Sequence, residues 1–381
     1  MTGRRLAVLV SLSGEGGVER MVLNLVRAFA AVPGLAVDLV LLREESRHLQ
    51  DLPANVNVVR LGVRHSALGV PALVRYLTAA RPDALLAAKD RAGRAALLAR
   101  RLAGVPTRVV IRLGTTLSEA MKDRHPVLRW LRYRPIRRLY RWADAIVAVS
   151  EGVADDVAAT SRMPRERIHV IRNPVVTPDL FRQAQEPADH PWLADPAVPV
   201  VMGMGRLTRQ KDFPTLVRAF ARLRRERSLR LVILGEGRDA AVLREIAVAE
   251  GIGGDVALPG FRANPYAWLA RSRLFVLSSA WEGSPNALTE AMALGVPVVS
   301  TDCRSGPGEL LAGGRYGPLV PVGDVDRLAA AMREGLDCPV PPAVLRHAVS
   351  EYTVETSARR YLEVLGLAQA PAGAGAGAET P

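Results

Sequence analysis

A chain of 381 residues, 49% hydrophobic and 23% charged, is too long for one ordinary core and too apolar to be disordered, so two domains are expected. Its two cysteines, Cys303 and Cys338, exclude a disulfide framework or a four-ligand zinc site and point to a reducing compartment. The net charge of +13 is uneven: residues 1–178 hold 29 Lys and Arg against 15 Asp and Glu, while the remainder holds 22 against 23.

The chain opens MTGRRLAVLVSLSGEGG, a basic start followed by an apolar run that Ser11 and Ser13 interrupt. No small-residue cleavage pattern follows, so it reads as a strand rather than a signal peptide. No run reaches eighteen apolar residues, so no membrane-spanning helix is expected. A soluble cytoplasmic protein is the expectation. Further strands are VDLVLL (37–42), VNVVRL (56–61), ALLAA (84–88), RVVIR (108–112), AIVAVS (145–150) and IHVIR (168–172). They are apolar on both faces, as buried parallel strands require. Helical patterns such as 18–30 and 91–103 fall between them.

The stretch 122–141, KDRHPVLRWLRYRPIRRLYR, carries eight basic residues and one acidic residue, and Trp130, Tyr133, Tyr140 and Trp142 are interleaved. Such a composition suits an anionic membrane surface; a solvated face or a nucleic-acid grip are the alternatives. Pro126 and Pro135 are expected to break it into short helices. Residues 177–199, with five prolines, read as an interdomain linker. A second series of strands follows at 198–205, 229–235, 255–260, 274–279 and 296–302. Helices at 213–226, 238–250, 264–271 and 285–294 separate them. The pattern predicts an α/β protein with two Rossmann-like, doubly wound parallel-sheet domains facing across a cleft. The domains are 1–178 and 179–356, followed by a helix at 357–368 that crosses back to the first domain and a disordered tail, 369–381.

Three loops carry candidate chemistry. In WEGSPNALTEAMALGVPVVSTD (281–302), Ser284 before Pro285 reads as a helix N-cap, and Gly295 as its end. The N–H groups of Asn286, Ala287 and Leu288 would then face the loop with Glu282 and Gly283, an anion site beside a helix dipole. Glu290 shares a helix face with Asn286. Carboxylates beside a phosphate site suit hydroxyl donors, and a nucleotide sugar offers hydroxyls, a diphosphate and then a ribose. In GMGRLTRQKDF (203–213), Arg206 and Lys211 follow a strand and precede a helix capped by Asp212, where they would neutralise a diphosphate. In SGEGGVER (13–20) the backbone must approach something closely, but the spacing is neither GxGxxG nor a Walker loop, which argues against a NAD-dependent oxidoreductase. Asp324-Val-Asp326 spells a D-x-D, with Asp324 expected to cap a helix.

Together EGSPNALTE, GRLTRQKDF, VSEGVADDV (149–157), IRNPV (171–175) and STDCRSGPGE (300–309) resemble the retaining glycosyltransferases of family 4, over nearly the whole chain. The resemblance implies the GT-B fold, an acceptor-binding first domain and a nucleotide-sugar-binding second domain. It implies that Glu282 holds the donor sugar, Glu290 the ribose, and Arg206 and Lys211 the diphosphate. Gly16 and Gly17 would approach donor phosphate and acceptor, and the backbone near Phe261 and Arg262 would meet the base. With Gly283, Ser284, Asn286, Ala287 and Leu288, these form the expected site. The implied mechanism is metal-independent transfer with retention, the leaving diphosphate deprotonating the acceptor. Many relatives carry a His where this chain has Gly114 and Thr115, so no general base is assigned.

The resemblance is to bacterial enzymes of surface polysaccharide and lipid-linked oligosaccharide synthesis. It points to a UDP-sugar of a hexose or N-acetylhexosamine, with no cofactor or metal. The acceptor would be a glycan or a polyprenyl- or lipid-linked sugar, reached from the cytoplasmic face of the inner membrane through 122–142. Two alternatives remain. A UDP-sugar 2-epimerase of the same fold would need further acid/base residues, and a nucleic-acid-binding protein would leave Glu282 and Glu290 without a role.

Overall fold

A computed structural model of the chain describes residues 3–13, 17–45, 49, 52–62, 69–122, 124–194 and 197–368. Gly16, the loop residues 63–68 and the tail 369–381 lie outside the described residues.

The first sheet contains β1 (Arg4–Ser13), β2 (Leu35–Glu45), β3 (Val56–Arg60), β4 (Ala84–Ala88), β5 (Arg108–Leu113), β6 (Ala145–Ala148) and β7 (Ile168–Val170), in the order β3-β2-β1-β4-β5-β6-β7. The pairings β1–β2, β1–β4, β2–β3 and β4–β5 are parallel. Leu6 to Val10 are all buried, so both faces of the sheet are covered, which is why these strands read as unbroken apolar runs. Buried charges nevertheless lie within two of them, Asp38 of β2, which accepts from Tyr76 and Arg5, and Arg112 of β5. Arg112 of β5 is buried and paired with the Tyr361 hydroxyl of the helix Val354–Leu365, and burial pulls its guanidinium down while the phenol beside it partly offsets this. The pattern RVVIR does not show that pairing, because its partner lies far along the chain.

The second sheet contains β8 (Val200–Met204), β9 (Arg230–Leu234), β10 (Val256–Gly260), β11 (Leu274–Leu277), β12 (Val298–Thr301) and β13 (Leu319–Val320), ordered β10-β9-β8-β11-β12-β13 and parallel throughout. Side chains alternate between two cores. Val201, Leu231, Ile233, Val276 and Val299 join one cluster, and Val200, Met202, Val232, Leu234, Phe275 and Val298 join the other. This is the period-2 signature of a strand with helices on both sides. The two-residue strand β13 is too short to show a period and is absent from the sequence reading.

By their contacts the residues form two compact units. One is Met1–Arg112 with Leu139–Ile146 and Ala358–Pro381, and the other is Leu113–Arg138 with Val147–Ser357.

Two local expectations are corrected. Residues 126–140 form one continuous helix, Pro126–Tyr140, not short pieces. Pro126 occupies the first helical position, where a missing N–H costs nothing. Pro135 is exposed, as is Leu131, whose carbonyl loses its partner, so water can satisfy that oxygen. Tyr133, Ile136 and Tyr140 are buried along the opposite face and hold the helix. The proline-rich stretch 177–199 also contains two helices, Pro178–Gln185 and Pro191–Ala194. Thr177 caps the first by accepting the Leu180 N–H, and Leu180 is buried beneath it. Proline at a first turn favours a helix start, which counting prolines overlooks. Among the described residues no helix is long and apolar enough to cross a membrane.

Candidate active site

In an open parallel sheet, ligands bind beyond the strand C-termini where the strand order reverses. In the second sheet that point lies between β8 and β11, because the chain runs outward from β8 through β9 and β10 and then returns to the other side of β8 as β11. The two loops leaving β8 and β11 carry the predicted cations and carboxylates.

These loops are stitched together. Ala280 donates its N–H to the Gln210 carbonyl at 2.8 Å, the Ser278 hydroxyl to the Lys211 carbonyl at 2.8 Å, and the Gln210 side chain to the Trp281 carbonyl at 3.0 Å. The Lys211 Nζ consequently lies 2.5 Å from Glu282 Oε1. The Ser279 hydroxyl donates to the same oxygen at 2.7 Å. The Glu282 side chain is only 8% exposed. Both donors fall on Oε1, and among the described residues no protein donor lies on Oε2. A lysine ammonium has three donors, so the pairing leaves Lys211 able to bind a further anionic oxygen.

Glu290 is also buried, on the helix Asn286–Leu294, and accepts from the Tyr266 hydroxyl at 3.2 Å. Gly283 is buried, and a Cβ placed there would fall 2.1 Å from the Gly114 carbonyl oxygen. Asn286 accepts from the Asn173 side chain at 2.8 Å. The motif IRNPV is thereby tied to EGSPN.

The expected cap is corrected. The helix begins at Asn286, with Pro285 at the cap position (ψ 87°) and no side-chain cap; Ser284 lies one residue further out. The Pro285 carbonyl accepts the N–H groups of Leu288 at 3.0 Å and Thr289 at 3.1 Å. Leu288 is therefore not an open donor. The fixed φ of proline is compatible with non-helical as well as helical ψ values, and here ψ lies outside the helical range. Gly295 ends the helix at φ 77°, as expected.

Other predicted residues are placed less centrally. Arg206 is exposed, and its guanidinium makes no hydrogen bond or ion pair among the described residues. Asp212 lies at the cap of the helix Phe213–Arg224, its carboxylate accepting from the Thr215 hydroxyl at 2.7 Å. The exposed Phe261 donates its N–H to Glu236 at 3.4 Å, and Arg262 lies over the Trp268 ring. Gly17 opens the helix Gly17–Ala30. Asp324 caps the helix Val325–Asp337 by accepting from the Arg327 N–H at 2.9 Å.

The sequence reading missed the loop after β9. Gly235 (φ 133°) and Gly237 (φ 159°) back onto the Gly205 and Leu207 carbonyls, and a Cβ would fall 2.0 and 2.2 Å from those oxygens. Only glycine admits that approach, and it shapes the Arg206 loop. The signal was present as Gly-Glu-Gly directly after a strand. Cys303 is buried, and burial together with the nearby Glu282 carboxylate pushes its thiol up to about 12. It remains protonated at neutral pH and is no nucleophile.

A second anchor lies at the helix Glu151–Ser161. Glu309 accepts from the N–H groups of Glu151 and Gly152, both at 2.9 Å, and from Arg172 at 2.7 Å. Burial alone would raise its carboxyl, but the Gly152 N–H, the Arg172 guanidinium and the Glu151 N–H outweigh it and hold it below the usual range. A depressed value stabilises the fold above the unfolded carboxylate value of about 4.3, and that contribution vanishes as pH falls through the folded value. Glu309→Gln is therefore expected to lower the urea midpoint at neutral pH, with the gap to wild type closing below about pH 4. An equal gap at neutral and acid pH would show that its charge is not what stabilises.

Known proteins resemble this chain in sequence and in fold. The model of the family described as "Glycosyl transferases group 1" matches residues 198–337, and that of "Glycosyltransferase Family 4" matches residues 15–178. The chain is 33% identical over 249 residues to the N-acetylgalactosamine-N,N'-diacetylbacillosaminyl-diphospho-undecaprenol 4-alpha-N-acetylgalactosaminyltransferase of Campylobacter jejuni, covering 64% of each chain. It is 34% identical over 195 residues to the lipopolysaccharide core biosynthesis glycosyltransferase LpsE of Rhizobium meliloti, covering 51% of this chain and 54% of that one. The match thus spans less than two thirds of either relative. The crystal structure of Anabaena HepE in complex with UDP and glucose superposes with a TM-score of 0.77 at 20% identity, over 95% of this chain and 99% of that one. The chain therefore belongs to the glycosyltransferases of group 1 and family 4, with the GT-B fold of two parallel-sheet α/β domains.

Proposed function

We propose that the protein is a retaining glycosyltransferase that moves a hexose or N-acetylhexosamine from a UDP-sugar to a glycan or lipid-linked acceptor in surface-glycan synthesis. The observation that carries this is the buried Glu282 carboxylate, with Oε1 engaged by Lys211 and Ser279 and Oε2 without a protein donor among the described residues. A carboxylate oxygen that accepts only, facing away from its partners, suits a sugar hydroxyl. Lys211 then holds the donor diphosphate and stabilises the charge that develops as it leaves. Glu290, steadied by Tyr266, takes the ribose, and Arg206 swings onto the diphosphate from solvent. The backbone at Phe261 and Arg262 meets the base. The leaving diphosphate takes the acceptor proton, without a metal. The first domain, with Gly16 and Gly17, binds the acceptor. A lipid-linked acceptor would bring the enzyme to the cytoplasmic face of an inner membrane.

Two of these similar proteins support this reading. The Campylobacter relative is described as acting on a diphospho-undecaprenol substrate, and the HepE structure holds UDP and glucose. The test is calorimetric titration of UDP, GDP and ADP, with chelator present, into wild type and Glu290→Ala. The expected result is UDP binding to wild type that weakens by about tenfold or more in the variant, the worth of a hydrogen bond to a charged group. Equal binding of all three nucleotides would refute the UDP assignment, binding only with metal would refute metal-free chemistry, and no binding would overturn the reading.

A further inference from the structure

We propose that Glu19 and Lys89 form a sugar subsite at the centre of the first sheet, where they take a vicinal diol of the acceptor. The assignment to the acceptor rests on the role proposed above for the first domain; the diol chemistry does not.

The chain runs outward from β1 through β2 to β3 and returns to the other side of β1 as β4. The strand order of the first sheet therefore reverses between β1 and β4, and ligands bind beyond the strand ends at such a point. Glu19 lies in the first turn of the helix that follows β1, and Lys89 directly follows β4. The Lys89 Nζ lies 3.6 Å from Glu19 Oε1 and donates to the Ser11 carbonyl, near the end of β1, at 3.4 Å. A lysine paired with a buried glutamate thus stands at the reversal point of each sheet.

Two features set this pair apart from a structural ion pair. The Glu19 side chain is only 8% exposed, and among the described residues its one polar partner is Lys89, beyond hydrogen-bond length. Buried carboxylates ordinarily collect donors, as the neighbouring Asp90 does from Arg94 at 3.0 Å and Tyr140 at 2.9 Å. The second feature is the Lys89 backbone, at φ 97° and ψ 151°, a region that glycine occupies freely and other residues only at a cost. Its N–H donates to the Arg112 carbonyl and its carbonyl accepts the Gly93 N–H, both at 3.0 Å, which hold it there. In that conformation the ammonium reaches Ser11 and Glu19 while the side chain stays 41% exposed.

Glu19 only accepts and Lys89 only donates, so a ligand that satisfies both offers a donor and an acceptor on adjacent atoms. Two neighbouring sugar hydroxyls do so, one donating to Glu19 and the other accepting from Lys89. A phosphate would meet the charge of Glu19, and a lipid chain would desolvate both charges while satisfying neither. The ribose of a nucleotide carries the same diol, and the experiment separates the two sources.

The test is saturation-transfer NMR of the full chain with the methyl glycosides of glucose, galactose, mannose and their N-acetylhexosamines, with and without saturating UDP. The expected result is that a glycoside binds wild type whether or not UDP is present. Its affinity should fall by about tenfold or more in Glu19→Gln and in Lys89→Met, the worth of a hydrogen bond to a charged group. Both variants should bind UDP as wild type does, so failure here is distinct from failure of the donor reading. Glu19→Gln should also keep the wild-type melting temperature, whereas a purely structural pair would lose stability and leave glycoside affinity unchanged. Lys89→Gly should melt above Lys89→Ala, because both lose the ammonium and only glycine relieves the backbone. No glycoside binding, or equal binding by wild type and both variants, would overturn the subsite. Displacement of the glycoside by UDP would give the pair to the ribose and overturn the acceptor assignment. Equal melting of Lys89→Gly and Lys89→Ala would show an unstrained backbone and overturn the case for a functional side chain at Lys89.

Discussion

Glu282→Gln is expected to lower sugar transfer from a UDP-sugar by about 10²–10³-fold, while UDP itself binds nearly as it does to wild type. The substitution keeps the side chain's size and an acceptor oxygen for Ser279, but it removes the charge that pairs with Lys211 at 2.5 Å. In the proposed complex Glu282 touches the sugar and Lys211 the diphosphate, so the two binding readouts separate. Lys211→Met should weaken UDP as well as UDP-sugar. It also leaves a buried carboxylate without its partner, a cost of up to about 3–5 kcal/mol for a fully buried pair. The partial exposure of Lys211 places the expected loss at the lower end. Calorimetry with UDP, together with assay of UDP released from a panel of UDP-sugars, reads both effects. If Glu282→Gln binds and turns over UDP-sugars like wild type, the carboxylate does not hold the donor sugar.

Gly283→Ala should be nearly as damaging for a different reason. The added methyl would fall 2.1 Å from the Gly114 carbonyl oxygen and 2.9 Å from the Thr115 Cα. Both are backbone atoms, so no rotamer relieves the clash and the two loops must move apart. Overpacking of this kind costs about 1–3 kcal/mol, and it displaces the loop that carries Glu282. The expected result is a lower melting temperature and loss of UDP-sugar turnover. Gly254→Ala is the control: nothing lies within 4 Å of a Cβ there, and it should behave as wild type. Matching melting temperature and turnover in the two variants would show that the close approach at Gly283 is not maintained in solution.

Much of this protein was legible in its sequence because buried parallel strands and amphipathic helices are written locally. Twelve of the thirteen strands appear as short apolar runs, and β13, at two residues, is too short to carry a period. Glu282 and Lys211 were singled out as candidate site residues from their loops, and the structure brings the two together. Local pattern misled where a proline has two compatible conformations. Pro285 takes the non-helical cap position and leaves Ser284 outside, while Pro135 is carried within a helix that Tyr133, Ile136 and Tyr140 hold from beneath. Which option wins depends on what the neighbouring residues bury, and those neighbours are distant in sequence.

The sequence by itself determined the two-sheet α/β class, the family, and the chemical types in the site, since each depends on residues within a few turns of one another. Only the tertiary structure decided that Lys211 and Glu282, 71 positions apart, share an oxygen with Ser279. It also decided that Gly283 admits no side chain, and that one face of the basic helix is committed to the core. Pairings between separate loops, and the rotation of a helix about its axis, are set by sheet order and packing, which no local window of the chain contains.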